Sequence, residues 1–123
     1  MTTPLRPRVL IIDDHYGLRE AYTVLLEEEF CVSTAATGEE GLALLQREDV
    51  DVVLLDFRLP GMDGLEVLRQ IKATAVQATV LMLTAVNEAR LALDALRHGA
   101  ADYLVKPVDN TDLLARLRQA TAS

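Results

Sequence analysis

The chain alternates between two hydrophobic periods, and that alternation restricts its fold more than any other feature. Five short segments rich in β-branched or aliphatic residues recur at intervals of roughly 20–27 residues. They are Arg8–Asp13 (RVLIID), Cys31–Ala36 (CVSTAA), Asp51–Asp56 (DVVLLD), Ala78–Thr84 (ATVLMLT) and Ala101–Val105 (ADYLV). Near-continuous apolar runs of this length predict strands buried on both faces of a parallel sheet. The intervening segments carry helical spacing. Tyr16 to Glu29 places Leu18, Ala21 and Leu25 on one stripe. Thr37-Gly38-Glu39-Glu40 reads as a capping box, with Thr37 as N-cap and Glu40 reaching back, ahead of Leu42, Ala43 and Leu45. Asp63 opens a third helix with Leu65, Leu68 and Ile71 inward, and Asn87 opens a fourth. Asp109 caps a fifth, which runs through Leu113, Leu114 and Leu117.

Strict alternation of strand and helix implies right-handed crossovers and helices on both faces of the sheet. The expected fold is a single α/β doubly wound (βα)5 three-layer sandwich. A chain of 123 residues suits one domain over residues 1–123, with an arm at 1–7 and a tail or linker start at 120–123. Half the residues are hydrophobic but only 4% are aromatic, so the core must be built from Leu, Val, Ala and Ile. The formal charge of −7 argues against direct nucleic-acid binding, which needs clustered Lys and Arg. It also leaves room for a carboxylate cluster that holds a cation. The one cysteine, Cys31, excludes an internal disulfide and reads as a small buried side chain in a reducing compartment. Met1 to Pro7 shows no apolar core of a signal peptide, and every apolar run is far below a membrane span. A cytoplasmic protein with no membrane contact is expected.

The polar residues fall at particular strand ends. Asp13 and Asp14 follow the first strand, Asp56 ends the third, Thr84 ends the fourth and Lys106 follows the fifth. In an open parallel sheet these positions share the carboxyl edge, where ligands bind at the topological switch point. Each residue alone is ordinary strand-end or turn chemistry; their convergence is not. Three carboxylates and one ammonium leave a surplus of negative charge that a divalent cation removes. Hard oxygen ligands with few protein contacts favour Mg²⁺, which keeps several waters and shares a phosphate oxygen. Lys106 and the Thr84 hydroxyl can hold phosphoryl oxygens while Asp56 attacks phosphorus.

These residues lie in motifs that resemble the response-regulator receiver domains of two-component signalling. The motifs are VLIIDD at Val9–Asp14, LLDFRLPGMDG at Leu54–Gly64, LTA at Leu83–Ala85, GAADYLVKP at Gly99–Pro107 and VKPVD at Val105–Asp109. The resemblance implies a flavodoxin-like sheet of strand order 2-1-3-4-5. It implies Asp56 as phosphoacceptor from a histidine kinase or histidine phosphotransfer domain. It implies Asp14 as direct Mg²⁺ ligand, Asp13 acting largely through water, and the backbone carbonyl of Arg58 as a further ligand. Lys106 would pair with the phosphoryl group, Thr84 and Tyr103 would form the switch pair, and the bond before Pro107 would be cis. The fourth helix, fifth strand and fifth helix would meet an output partner, a fused effector domain or a second copy.

On the fourth helix, Ala89, Ala92, Leu93 and Leu96 read as the core stripe, leaving Leu91 and Ala95 on the partner face. His15 and His98 lack ligand-spaced partners and read as surface residues, with a modest pH effect open for His15. Arg58 and Val86 flank the expected path of attacking water and predict a long-lived phosphoryl group. Three rival readings remain in view. A haloacid-dehalogenase-like phosphatase needs a second Asp two residues after the nucleophile, where Arg58 stands. A flavin or nucleotide module needs a glycine-rich phosphate loop, where DDHYGLRE is acidic. A pseudo-receiver that signals without phosphate does not need all five site residues, which are present. DLLARLR at Asp112–Arg118 resembles receivers joined to winged-helix domains, although Val108 replaces their usual Phe, and GLREA at Gly17–Ala21 suits receivers joined to ATPases or kinases equally.

Overall fold

All five expected strands form and pair in parallel. The computed structural model describes residues 6–74 and 76–122. Along the chain lie β1 (Arg8–Ile12), α1 (Tyr16–Leu26), β2 (Cys31–Ala35), α2 (Gly38–Arg47) and β3 (Val52–Asp56). They are followed by α3 (Gly64–Ala73), β4 (Thr79–Thr84), α4 (Ala89–Arg97), β5 (Asp102–Val105) and α5 (Asn110–Thr121). The strand order is β2-β1-β3-β4-β5, so the winding direction reverses between β1 and β3 and a crevice opens at their carboxyl ends.

Strand parity divides the core into two layers. Leu10, Ile12, Val53, Leu55, Val80 and Met82 pack against α2, α3 and α4 through Leu45, Val67, Leu68, Ile71 and Ala95. Val9, Ile11, Val52, Leu54, Leu81, Leu83 and Leu104 face α1 and α5 through Tyr22, Leu26, Leu113 and Leu117. Central β3 is buried at every position, which is why its sequence is a continuous apolar run closed by a single carboxylate.

Helix starts follow side-chain chemistry. Thr37 accepts from the Glu40 backbone N–H, and Asp63 from that of Glu66. Glu40 reaches back to the N–H of Ala36 at 3.4 Å rather than to that of Thr37. Asp109 stands at the N-cap of α5 without a side-chain cap bond, and α4 starts after Glu88 rather than at Asn87.

Several expectations need correction. Ala21 and Ala43 are exposed, because Tyr22 and Leu26 on α1, and Gly38, Gly41 and Leu45 on α2, turn inward instead. Cys31 is exposed, since it opens edge strand β2. Residues 120 and 121 close α5 and are not a tail; of the expected terminal segments, residues 1–5 and 123 lie outside the described residues. The assignment of Leu91 and Ala95 to an outward face does not hold. Ala92 and Ala95 are fully buried, Leu91 and Leu96 pack against the core, and Leu93 is 52% exposed. At 100° per residue Glu88, Leu91, Ala92, Ala95 and Leu96 share one arc, and Leu93 lies outside it. No helix among the described residues is long and apolar enough to cross a membrane.

Candidate functional site

The parity that sorts the core also delivers the site. Asp13, Asp56 and Lys106 each lie two residues beyond an apolar side chain of the α1/α5 layer, namely Ile11, Leu54 and Leu104. Side chains two apart share a sheet face, so the three polar groups converge as the strands end. Lys106 Nζ lies 3.0 Å from Asp13 Oδ2 and 3.0 Å from Asp56 Oδ2, bridging segments that are 93 and 50 residues away in sequence. Asp13 is fully buried, and its other carboxylate oxygen accepts from the His15 N–H at 2.9 Å. Asp56 Oδ1 accepts from the Arg58 N–H at 3.3 Å, so the Arg58 peptide unit lies against the same carboxylate.

Asp14 is exposed, and among the described residues no hydrogen bond engages its carboxylate. One oxygen each from Asp13, Asp14 and Asp56 fall within 4.8 Å of one another. With metal–oxygen distances of about 2.1 Å, opposite ligands of one Mg²⁺ are about 4.2 Å apart, so small side-chain movements bring this oxygen set onto a single hydrated cation.

Burial pushes the Asp56 carboxyl above the ordinary value of 3.8; the Lys106 hydrogen bond opposes this, and the Asp13 charge reinforces it. Burial works against the Lys106 ammonium, but its hydrogen bonds and attraction to Asp13 and Asp56 outweigh that, so its pKa is raised. Burial also raises the Tyr22 phenol beside them. With Asp56 titrating higher in the folded chain than in the unfolded one, the folded state binds more protons between those two values. Stability therefore falls as pH rises through that window. Asp56→Asn in Mg²⁺-free buffer is expected to raise Tm above that window. The gain should shrink as pH approaches 4 and should reverse sign relative to wild type once Mg²⁺ is added in excess. Thermal melts with and without chelator over that pH range check it.

Thr84 is 1% exposed at the end of β4, and its carbonyl accepts from the Lys106 N–H at 2.7 Å. In register, Met82 pairs with Tyr103 and Thr84 with Val105. Thr84 and Tyr103 thus share the face that α4 covers, opposite to that of Lys106 and Asp13. Tyr103 is half-buried there against the core. The Lys106–Pro107 peptide bond is cis. Val86 is 76% exposed, and the Arg58 guanidinium pairs with Glu88 instead of standing free over Asp56.

Four residues took parts the sequence reading did not give them. Arg19 donates from its guanidinium to the Asp13 carbonyl at 2.6 Å, and Tyr22 packs beside Lys106. His15 is not merely a surface residue: its Nδ1 accepts from the Leu18 N–H at 3.1 Å and caps α1. Glu88, buried at 5% exposure, was missed entirely. Its signal was present: an acid four residues before Ala92 and seven before Ala95, on the arc of α4 that turns inward.

The family model of the response regulator receiver domain matches residues 9–118. The transcriptional regulatory protein AfsQ1 of Streptomyces coelicolor is 42% identical over 113 residues, 91% of this chain and 50% of that protein. The response regulator PleD of Caulobacter vibrioides is 38% identical over 117 residues, 93% of this chain and 26% of that protein. The chain thus spans about half or less of the length of these curated relatives. Among solved structures, a response regulator receiver domain protein from Clostridium thermocellum superposes with a TM-score of 0.87 at 32% identity, covering 93% of each chain. A CheY-like receiver domain protein from Methanospirillum hungatei gives 0.87 and 32%, covering 93% of this chain and 92% of that one. Because the family match runs from β1 into the last turn of α5 and the backbone agrees over the same span, the chain belongs to the response regulator receiver domain family of two-component signalling.

Proposed function

We propose that Asp56 accepts a phosphoryl group from a phosphohistidine donor, a histidine kinase or histidine phosphotransfer domain, in a Mg²⁺-dependent reaction. The observation that carries this reading is the single ammonium of Lys106 shared by two buried carboxylates, with a third carboxylate free beside them. Such a site is under-neutralised and is completed by a divalent cation. Asp14, Asp13 and Asp56 with the Arg58 carbonyl would hold the ion; when bound, it offsets charge on the phosphoryl oxygens.

The residues divide the remaining work. Asp56 attacks phosphorus, so an O–P bond forms as the donor's P–N bond breaks, and the departing imidazole takes up a proton. Lys106, anchored by Asp13, follows the phosphoryl oxygens as Asp56 gives up its negative charge to the new bond. The Arg58 N–H, already directed at Asp56, meets the same group. Thr84 then closes on the phosphoryl group from the opposite face, and Tyr103 moves into the space it leaves, biasing a two-state equilibrium around α4. In this reading the chain is a signalling acceptor that promotes its own phosphorylation and slow dephosphorylation, with Arg58 and Val86 lengthening the adduct's life. Its output passes through the face of α4, β5 and α5 to a fused effector domain, a partner or a second copy. Leu93, Tyr103 and Val105 supply apolar surface there, replacing Leu91 and Ala95.

Incubation with a small phosphoryl donor and Mg²⁺ should give an acid-stable, base-labile adduct of one phosphoryl group by intact mass. Chelation of Mg²⁺ or Asp56→Asn should remove it. Equal labelling of Asp56→Asn, or no adduct in wild type, overturns the reading.

A further inference from the structure

Glu88 holds the one buried side-chain polar atom among the described residues that lacks a hydrogen-bond partner, its Oε2. That oxygen lies 2.8 Å from Arg58 Nε, close enough for an ion pair, although the N–H is not aimed along the contact. The other oxygen accepts from the Ala85 N–H at 2.9 Å. One carboxylate is therefore engaged from two loops that leave the site, by charge from the loop after Asp56 and by a hydrogen bond from the loop after Thr84. A cavity of about 270 Å³ lies between them, lined by Phe57, Arg58, Leu59, Asp63, Glu88 and Leu91. Glu88 is also the N-cap residue of α4, and its carbonyl accepts from the Ala92 N–H.

The arrangement is poised to change partner. The Arg58 side chain is 75% exposed and joined to the backbone by a flexible stem, while that of Glu88 is 4% exposed and held on one side. A phosphoryl group carries about −1.5 to −2 charge and three acceptor oxygens, and guanidinium groups bind such oxygens in pairs. The Arg58 N–H already contacts Asp56, so its guanidinium is within a side chain's reach of a group added there.

We propose that Glu88 is an internal competitor for the phosphoryl group: its carboxylate holds the Arg58 guanidinium and the Ala85 N–H while Asp56 is unmodified, and phosphorylation takes both donors and releases the first turn of α4. This rests on Asp56 being the acceptor. Arg58 and Glu88 are positioning residues that act on α4 through each other. A buried carboxylate stripped of both donors is unfavourable where it stands, so the loop from Ala85 to Glu88 opens toward solvent.

The test uses beryllofluoride with Mg²⁺ as a phosphoryl mimic on the whole chain, read by amide hydrogen exchange in the first turn of α4 and by the Arg58 Nε–H resonance. In wild type, beryllofluoride should speed exchange there and shift the Arg58 signal. Glu88→Gln keeps an acceptor for Ala85 but loses the charge. With the charge gone and the Ala85 N–H still bonded, exchange in this variant should stay slow and respond less to the mimic, while labelling by a small phosphoryl donor should rise about two- to fivefold. Arg58→Met strands the carboxylate instead, so exchange should be fast before any mimic is added, and adding Glu88→Gln to it should slow exchange again. Unchanged α4 exchange and an unshifted Arg58 signal in a chain that labels normally overturn this inference alone. Failure of the chain to label at Asp56 overturns it together with the reading beneath it.

Discussion

Lys106→Met should be one of the two most damaging single substitutions, lowering stability by about 2–3 kcal/mol, or roughly 8–12 °C in Tm. Lys106 is 24% exposed at its side chain and bridges Asp13, which is fully buried, to Asp56 at 3.0 Å each. Removing it leaves two carboxylates facing each other with no counter-charge and one of them without access to water. Breaking a fully buried pair costs about 3–5 kcal/mol, and the partial exposure of Lys106 brings the expectation below that range. Its pKa is raised by these partners, so its contribution is complete below the unfolded value near 10.5 and is lost as pH climbs through the folded one. The gap between wild type and variant should therefore close in strong alkali, as Lys106 loses its proton, and again in acid, as the stranded carboxylates take up protons. Adding Asp13→Asn to Lys106→Met should recover at least half the loss, since the stranded charge is then gone. Thermal melts of the four chains measure this directly, and an unchanged Tm in Lys106→Met would show that the bridge carries no weight. Labelling from a small phosphoryl donor should fall about 100-fold in the same variant, the usual effect of removing one charge-stabilising donor.

The second large effect comes from a residue with no side chain. A Cβ on Gly64 would lie 2.5 Å from the Asp56 carbonyl oxygen and 2.8 Å from Phe57 Cα, and both neighbours are backbone. The Gly64 N–H also donates to the Phe57 carbonyl at 2.9 Å, so α3 begins pressed against the segment that carries Asp56. Gly64→Ala should cost about 3 kcal/mol and displace that segment, lowering adduct yield as well as Tm. Gly61→Ala provides the contrast. Gly61 has φ of +78°, but the nearest atom to its added Cβ is Glu39 Oε1 at 3.7 Å. Only backbone strain of about 1–2 kcal/mol is expected there, with labelling retained. If both variants lose the same stability and both still label, close approach at Gly64 is not what seats Asp56.

The strands, their parallel pairing and the convergence of Asp13, Asp14, Asp56, Thr84 and Lys106 on one sheet edge were legible without coordinates. Each rests on information local in the chain: a run of apolar residues marks a strand buried on both faces, and strict alternation with helices leaves only parallel crossovers. The five predicted strands start within one residue of the observed ones. The caps at Thr37 and Asp63 were readable for the same reason, because a cap is a contact over three residues.

What tertiary structure alone decided begins with the phase of α4. Nine residues rich in Ala and Leu admit more than one apolar stripe, and only packing on β4 and β5 turns Leu91 and Ala95 inward beside Ala92 in place of Ala89 and Leu93. With the wrong stripe, Glu88 looks like a solvated acid and its pairing with Arg58, thirty residues away, is invisible. The burial of Asp13 beside an exposed Asp14 likewise depends on strand parity at the end of β1 and on Lys106 arriving from β5. Local periodicity specifies which elements form and which of their ends carry charge. Which carboxylate is paired, which is free and which holds the start of a helix depends on groups far apart in sequence, and those meet only after the sheet has closed.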